Sequence, residues 1–258
     1  KKESKLVCRS LVGIAKMELN HGNYSEAAIF LENQFEKYKD IITPVDKAVH
    51  INTLSEAYSL QRQYDKSIKI LEEAQMVLDT AGSYKEKAAI FNNLGVNHQK
   101  KLNYDKAEEM YRNSYNLHKQ YSDERFWIHS LHNLAGIYDQ KKQFRKSINT
   151  YLKCLQLEKK LGNILVRSRI MENLGSSYRK MNKKDSAIIY LDSSKSLANL
   201  AHLADQINET NLDLMLTYYN TGDYSLANLF SDTLIQSKRK EISHNFEFLS
   251  EDEKFNFL

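Results

Sequence analysis

An all-α solenoid of about six antiparallel helix pairs is the fold class the sequence predicts, and three observations carry it. A leucine-like anchor returns every 40 residues, at Ile14, Leu54, Leu94, Leu134, Leu174 and Leu214. Small residues keep the same interval, one position later at Ala15, Ser55, Gly95, Ala135 and Gly175, and again at Ala27, Ser67, Ala107, Ser147, Ala187 and Ala227. The 258 residues include one proline and eight glycines, so little interrupts a nearly all-helical chain. A single core demands no fixed interval, whereas a stack of equivalent units does, because each unit packs only on its neighbours.

Each unit divides into two helices. In the fourth, Leu131, Leu134, Ile137 and Tyr138 follow helical spacing before a short polar break, and Phe144, Ile148, Tyr151, Leu152 and Leu155 follow it after. The array spans residues 5–240, in repeats of about 5–44, 45–84, 85–124, 125–164, 165–204 and 205–240. Thr43 followed by Pro44 predicts an N-cap with proline at the first helical position, where a missing N–H costs nothing. Gly82 predicts a helix end, Ser83 with Glu86 a capping box, and Gly162 with Asn163 another stop and start. The sixth unit is degenerate, with Asn211, Met215 and Ser231 where others are apolar, small and large. Beyond Lys240 the interval is lost, and residues 241–258 read as a C-terminal capping helix or a junction to a further domain.

Apolar content of 41% with 27% charged residues predicts a folded, water-soluble chain, and no apolar run is long enough to cross a bilayer. The net charge of +4 is too small and too interspersed with acids to imply nucleic acid. Cys8 and Cys154 stand more than three repeats apart, so no disulfide is expected, and a reducing, cytoplasmic setting is the easier reading. The start, Lys-Lys-Glu-Ser-Lys, reads as that of an excised piece, so a signal peptide and a periplasmic location stay open.

The column order (large, anchor, small, aromatic, small, aromatic, small) resembles the tetratricopeptide repeat, TPR. In one unit it reads Phe91, Leu94, Gly95, His98, Tyr104, Ala107, Tyr111 and Ser114, and in the next Leu131, Leu134, Ala135, Tyr138, Phe144, Ser147, Tyr151 and Cys154. The resemblance covers residues 5–240 and implies a TPR superhelix that grips protein or peptide segments along its concave face. The usual unit has 34 residues and ends near a proline, whereas this one has 40 and lacks it, which adds about 9 Å of helix per unit. The tail at 245–254 resembles the junction that follows such arrays in bacterial proteins continuing into a caspase-like CHAT protease domain.

The resemblance places the first helix of each pair on the concave side. There, just before the anchor, stand Asn93, Asn133 and Asn173 in consecutive units. Asparagine is a mediocre helix former, and its amide pairs with both N–H and C=O of an extended peptide. The competing reading is that these asparagines bridge neighbouring helices. Around them the expected peptide-binding face adds Asn92, Gln99, Lys100, His129, His132, Arg169, Arg179 and Lys180, with the basic residues suited to a carboxylate. Replacing the three asparagines by alanine is expected to weaken partner binding while leaving the melting temperature almost unmoved. The chaperone-clamp subgroup of the family is disfavoured, since Val96, Gly136 and Ser176 stand where it needs asparagine.

No chemistry of catalysis is written in the chain. His129, His132 and Asp139 lack a third histidine or a His-Glu-x-x-His pattern, and no phosphate loop or nucleophile elbow occurs. No metal and no cofactor is expected. Cys154 reads as a small buried hydrophobe. The pairs Lys100-Lys101, Lys141-Lys142 and Lys183-Lys184 fall in successive turns and could form a basic rim, but without aromatic platforms beside them no nucleic-acid partner is expected. No membrane partner is expected either, and the oligomeric state stays open. The reading is a non-catalytic scaffold for a protein or peptide segment. The alternative is the sensing or regulatory arm of a larger bacterial protein whose effector, a CHAT protease or a DNA-binding output domain, lies outside this chain.

Overall fold

The computed structural model describes residues 2–38, 41–81, 83–121 and 124–247. The described residues form helices only, in two compact units, residues 1–141 and 142–258. The first holds α1 (Lys2–Asn20), α2 (Tyr24–Tyr38), α3 (Pro44–Leu60), α4 (Tyr64–Ala81), α5 (Tyr84–Lys100), α6 (Tyr104–Gln120) and α7 (Glu124–Gln140). The second holds α8 (Phe144–Leu161), α9 (Ile164–Lys180), α10 (Lys184–Leu200), α11 (Ala204–Asn220) and α12 (Tyr224–Glu247). Within each unit every helix packs on the next in sequence, and alternate helices also meet, α1 on α3, α3 on α5, and α9 on α11.

The 40-residue interval becomes helix register. First helices open at 44, 84, 124, 164 and 204, and second helices at 24, 64, 104, 144, 184 and 224. The small columns are buried throughout, from Ala15, Ala27 and Ala107 to Ala187 and Ala227, and the anchors Leu54, Leu94, Leu134, Leu174 and Leu214 are buried with them. Gly95 and Gly175 leave room that a facing side chain fills: a Cβ on Gly95 would stand 2.6 Å from the Tyr111 ring, and one on Gly175 2.7 Å from Leu191. Serines in the small columns satisfy their hydroxyls on the facing helix, Ser67 donating to the Ser55 carbonyl at 2.9 Å and Ser114 to that of Ala88 at 2.8 Å.

One anchor departs from its column. Ile14 is 47% exposed, because an anchor packs on the unit before it and no described helix precedes α1. Leu94 shows the rule, sharing a cluster with Leu71, Ala74 and Leu78 of the preceding unit.

Cap chemistry is mixed. Thr43 Oγ1 accepts from the Asp46 N–H at 3.1 Å and Asn163 Oδ1 from that of Val166 at 3.1 Å, as the sequence leads one to expect. Ser83 does not form the expected box: its hydroxyl donates to the Glu86 carboxylate, and its side chain takes no backbone N–H. Gly82 lies outside the described residues.

The residue that turns the chain after each first helix has the same left-handed conformation. Gly22, Arg62, Leu102, Lys142, Asn182 and Gly222 all have φ between 57° and 85°. In the second, the Gln63 N–H reaches back to the Tyr58 carbonyl at 2.8 Å and the Arg62 N–H to that of Ser59 at 3.0 Å, the double closure of a Schellman motif. Three of the six positions carry a side chain with no local reason to adopt that conformation, at about 1 kcal/mol each.

The last helix, α12, runs unbroken to Glu247, so residues 241–247 extend it rather than open a separate cap. The remainder of the expected capping segment, and most of the tail likened to a CHAT junction, lies outside the described residues. Both cysteines are free and buried, and burial pushes the Cys154 thiol up to about 12. No described helix is long and apolar enough to cross a membrane.

Candidate functional site

In the first unit α5 presents one continuous stripe, Lys85, Ala89, Asn92, Asn93, Val96, Asn97 and Lys100, spaced to lie on a single helical face over about 22 Å. Two hollows flank it. The one shared with α3 has a volume of about 570 Å³ and is lined in about equal part by polar and apolar surface: Asn52, Ser55, Glu56, Ser59 and Leu60 of α3, Arg62 of the turn, Tyr64 of α4, and Lys100. The one shared with α7 has a volume of about 240 Å³ and is mainly apolar, formed by Ala89, Phe126, His118 and Ser130, with Lys85 and His129 at its edge. Asn93 lines both.

The asparagine column is in part a set of rungs between units. The Asn93 amide donates to Asn52 Oδ1 at 3.0 Å, and the Asn133 amide to Asn92 Oδ1 at 3.0 Å, each reaching 41 residues back. Asn97, one turn on, is fully buried and donates to the Asn93 carbonyl at 2.8 Å. All four rung residues are half-buried. Asn93 and Asn133 thus make the bridges of the competing reading, and their removal is expected to lower the melting temperature. A bridging hydrogen bond contributes about 1 kcal/mol.

Gln99 lines neither hollow; its Oε1 accepts from the Tyr111 hydroxyl at 2.8 Å and so completes a core contact. His132 lines neither hollow, and His129 is exposed. Among the described residues no group of three His, Cys, Asp or Glu could hold a metal ion. The lysine rim is clipped to acids of the preceding repeat, Lys101 to Asp65, and Lys141 to Asp105 and Glu108 at 2.7 Å each. In two of the three turns one lysine of the pair is thus spent on an ion pair inside the fold.

Residues 86–160 match the tetratricopeptide repeat pattern, and residues 168–199 match it again. The chain carries tetratricopeptide repeats. No curated protein matches the TPR chain in sequence. Among solved structures it is similar to BtubC (BKLC) from P. vanneervenii, at 17% identity over 92% of each chain with a TM-score of 0.70. It is also similar to a Rap protein complexed with competence and sporulation factor, at 13% identity over 91% of this chain and 76% of that one, TM-score 0.72. A third likeness is to a signal-transduction ATPase with numerous domains and a tetratricopeptide repeat sensor from Pyrococcus horikoshii, at 15% identity over 90% of this chain and 37% of that one, TM-score 0.78. At these identities the likeness is one of fold, and the fold class is the all-α solenoid.

The second unit of the TPR chain holds the remaining four expected residues, and two of them, Asn173 and Arg179, hydrogen-bond within the fold. Asn173 donates to the Arg169 carbonyl of its own helix at 2.9 Å. Arg179 grips Asp213 of the next repeat through Nη2 at 2.7 Å and Nε at 3.2 Å, a half-buried pair that spends the guanidinium inside the fold. Beside it Glu172 accepts from Gln206. Burial, reinforced by the nearby Glu209 and Asp213 carboxylates, pushes Glu172 up to about 7, against the opposing pull of Gln206 and Arg169. Arg169 and Lys180 are exposed.

Sequence reasoning missed Glu56, Arg62, Lys85, Ala89 and Phe126. Lys85 and Ala89 share the helical face of Asn93 and could have been found by spacing alone. Arg62 and Phe126 could not, because each faces a helix of the neighbouring repeat.

Proposed function

We propose that this TPR chain is a non-catalytic scaffold that holds an extended protein or peptide segment across α5, between α3 and α7. The observation that carries it is the meeting of two chemically different hollows at Asn93, on one uninterrupted helical face. Glu56, Arg62 and Lys100 support it further: all three are exposed at the hollow shared with α3, and none forms an ion pair with a described residue. Polar groups that the fold leaves unspent beside a concavity suit a ligand. Asn93 and Asn52 give each other one hydrogen bond and retain donors and acceptors for a main chain laid over them. The Rap protein with a similar fold was solved with competence and sporulation factor bound, which agrees with a ligand-holding role for this fold.

A photo-crosslinking amino acid at Val96, inside the hollow shared with α3, tests the reading in cells of the source organism. A discrete crosslinked partner is expected from position 96 and none from Glu109 on the opposite helix layer. Equal crosslinking from both positions, or from neither, refutes it.

The sensor named for the structure from Pyrococcus horikoshii favours a second reading, in which this face is the sensing arm of a larger protein. The nucleotide sequence following the codon for Leu258 decides between an isolated scaffold and such an arm.

A further inference from the structure

The hollow between α5 and α7 is built for a different group from its neighbour. His118 and Phe126 stack there with ring centroids 5.5 Å apart and planes inclined by 20°, and Phe126 remains 51% exposed. Ala89 keeps the α5 wall low, so the ring pair is open toward the stripe. The volume of about 240 Å³ is below the roughly 300–1,000 Å³ of sites for drug-sized ligands. It exceeds the roughly 150 Å³ of an apolar cavity that takes benzene, so there is room for one side chain and little else.

We infer that this hollow is a specificity pocket that takes one aromatic or large aliphatic side chain of the segment bound across α5. The inference rests on the groove reading above and adds the chemistry of the segment. Covering the half-exposed Phe126 ring removes apolar surface from water, and a flat partner gains offset stacking on the His118–Phe126 pair. The neighbouring hollow fixes the other half of the recognition. There two exposed cations, Arg62 and Lys100, face one exposed carboxylate, Glu56, an excess that matches an acidic group. The bound segment therefore carries an acidic residue over the α3 side and an apolar one over the α7 side, with its main chain crossing Asn93 between them.

The test selects phage-displayed random peptides on the full chain and measures synthetic versions of the enriched sequences by fluorescence anisotropy. The enriched peptides are expected to share a Phe, Trp, Leu or Met close to an Asp or Glu. Their affinity is expected to fall about tenfold or more on Ala89→Trp, which fills the pocket. Phe126→Ala is the second variant: its half-exposed ring is not part of the buried core, so folding is not at stake, and a comparable fall is expected. Peptides that lose affinity on Arg62→Ala and Lys100→Ala but ignore Ala89→Trp and Phe126→Ala overturn the pocket and leave the groove standing. Peptides indifferent to all four substitutions, or a selection that enriches none, overturn the groove reading and the pocket with it.

Discussion

Gly95→Ala sets helix propensity against packing, and the geometry says which wins. Gly95 lies inside α5, where alanine is the better helix former by about 1 kcal/mol. Its added Cβ, however, would sit 2.6 Å from Tyr111 Cε1 and 2.7 Å from Cδ1. The ring cannot yield freely: Tyr111 is fully buried, and its hydroxyl is tied to Gln99 at 2.8 Å. Overpacking a filled core costs about 1–3 kcal/mol, and pulling the hydroxyl off Gln99 adds about 1. After the propensity gain, a net loss of about 1–3 kcal/mol is expected, a fall in melting temperature of about 2–4 °C per kcal/mol for a chain of this size. Urea denaturation followed by the fluorescence of Trp127, the single tryptophan, in α7 of the same unit, reads it directly. Tyr111→Leu in the same chain should recover part of the loss, a coupling that a double-mutant cycle isolates. A Gly95→Ala protein as stable as the parent, or a cycle without coupling, would show that the approach of α6 to α5 is not close-packed and would refute the reasoning.

Three further outcomes follow from the same structure. Leu94→Ala should cost about 2–5 kcal/mol, whereas Ile14→Ala, in the same sequence column but 47% exposed, should cost well under half as much, as paired denaturation curves will show. Leu102→Gly relieves a φ of 61° at a side chain 68% exposed and is expected to stabilise by about 0.5 kcal/mol after the entropy it returns to the unfolded chain; a loss of stability would count against the turn geometry. Glu172, whose carboxyl is raised from 4.5 to about 7, keeps in the folded chain a proton that the unfolded chain releases. Its contribution to stability is therefore present below about pH 4.5 and lost as pH rises through 7, so Glu172→Gln should raise the melting temperature relative to the parent at pH 8 and not at pH 5.

The asparagine rungs show where sequence reading ran short. Asn93 and Asn133 were legible as a column because 40-residue spacing marks equivalent positions, but their partners, Asn52 and Asn92, stand 41 residues back. That offset depends on how far one first helix is slid against the next, a quantity the periodicity does not contain. Arg179 reads the same way. It stands on the predicted face with charge suited to a carboxylate, and it finds one in Asp213 of the following repeat.

By itself the sequence determined the repeating unit, the two helices in it, and which columns face inward, because 3.6-residue periodicity and a fixed interval are properties of the chain alone. It also determined that Gly95 and Gly175 mark close approaches, since they stand in a column that is small in five of the six repeats. Tertiary structure decided what lies between repeats: the exposure of Ile14, the ion pairs of Lys101 and Lys141, and the hollows on either side of α5. Each of these depends on two segments that neighbouring repeats bring together, and the energy of a contact belongs to the pair of surfaces that make it.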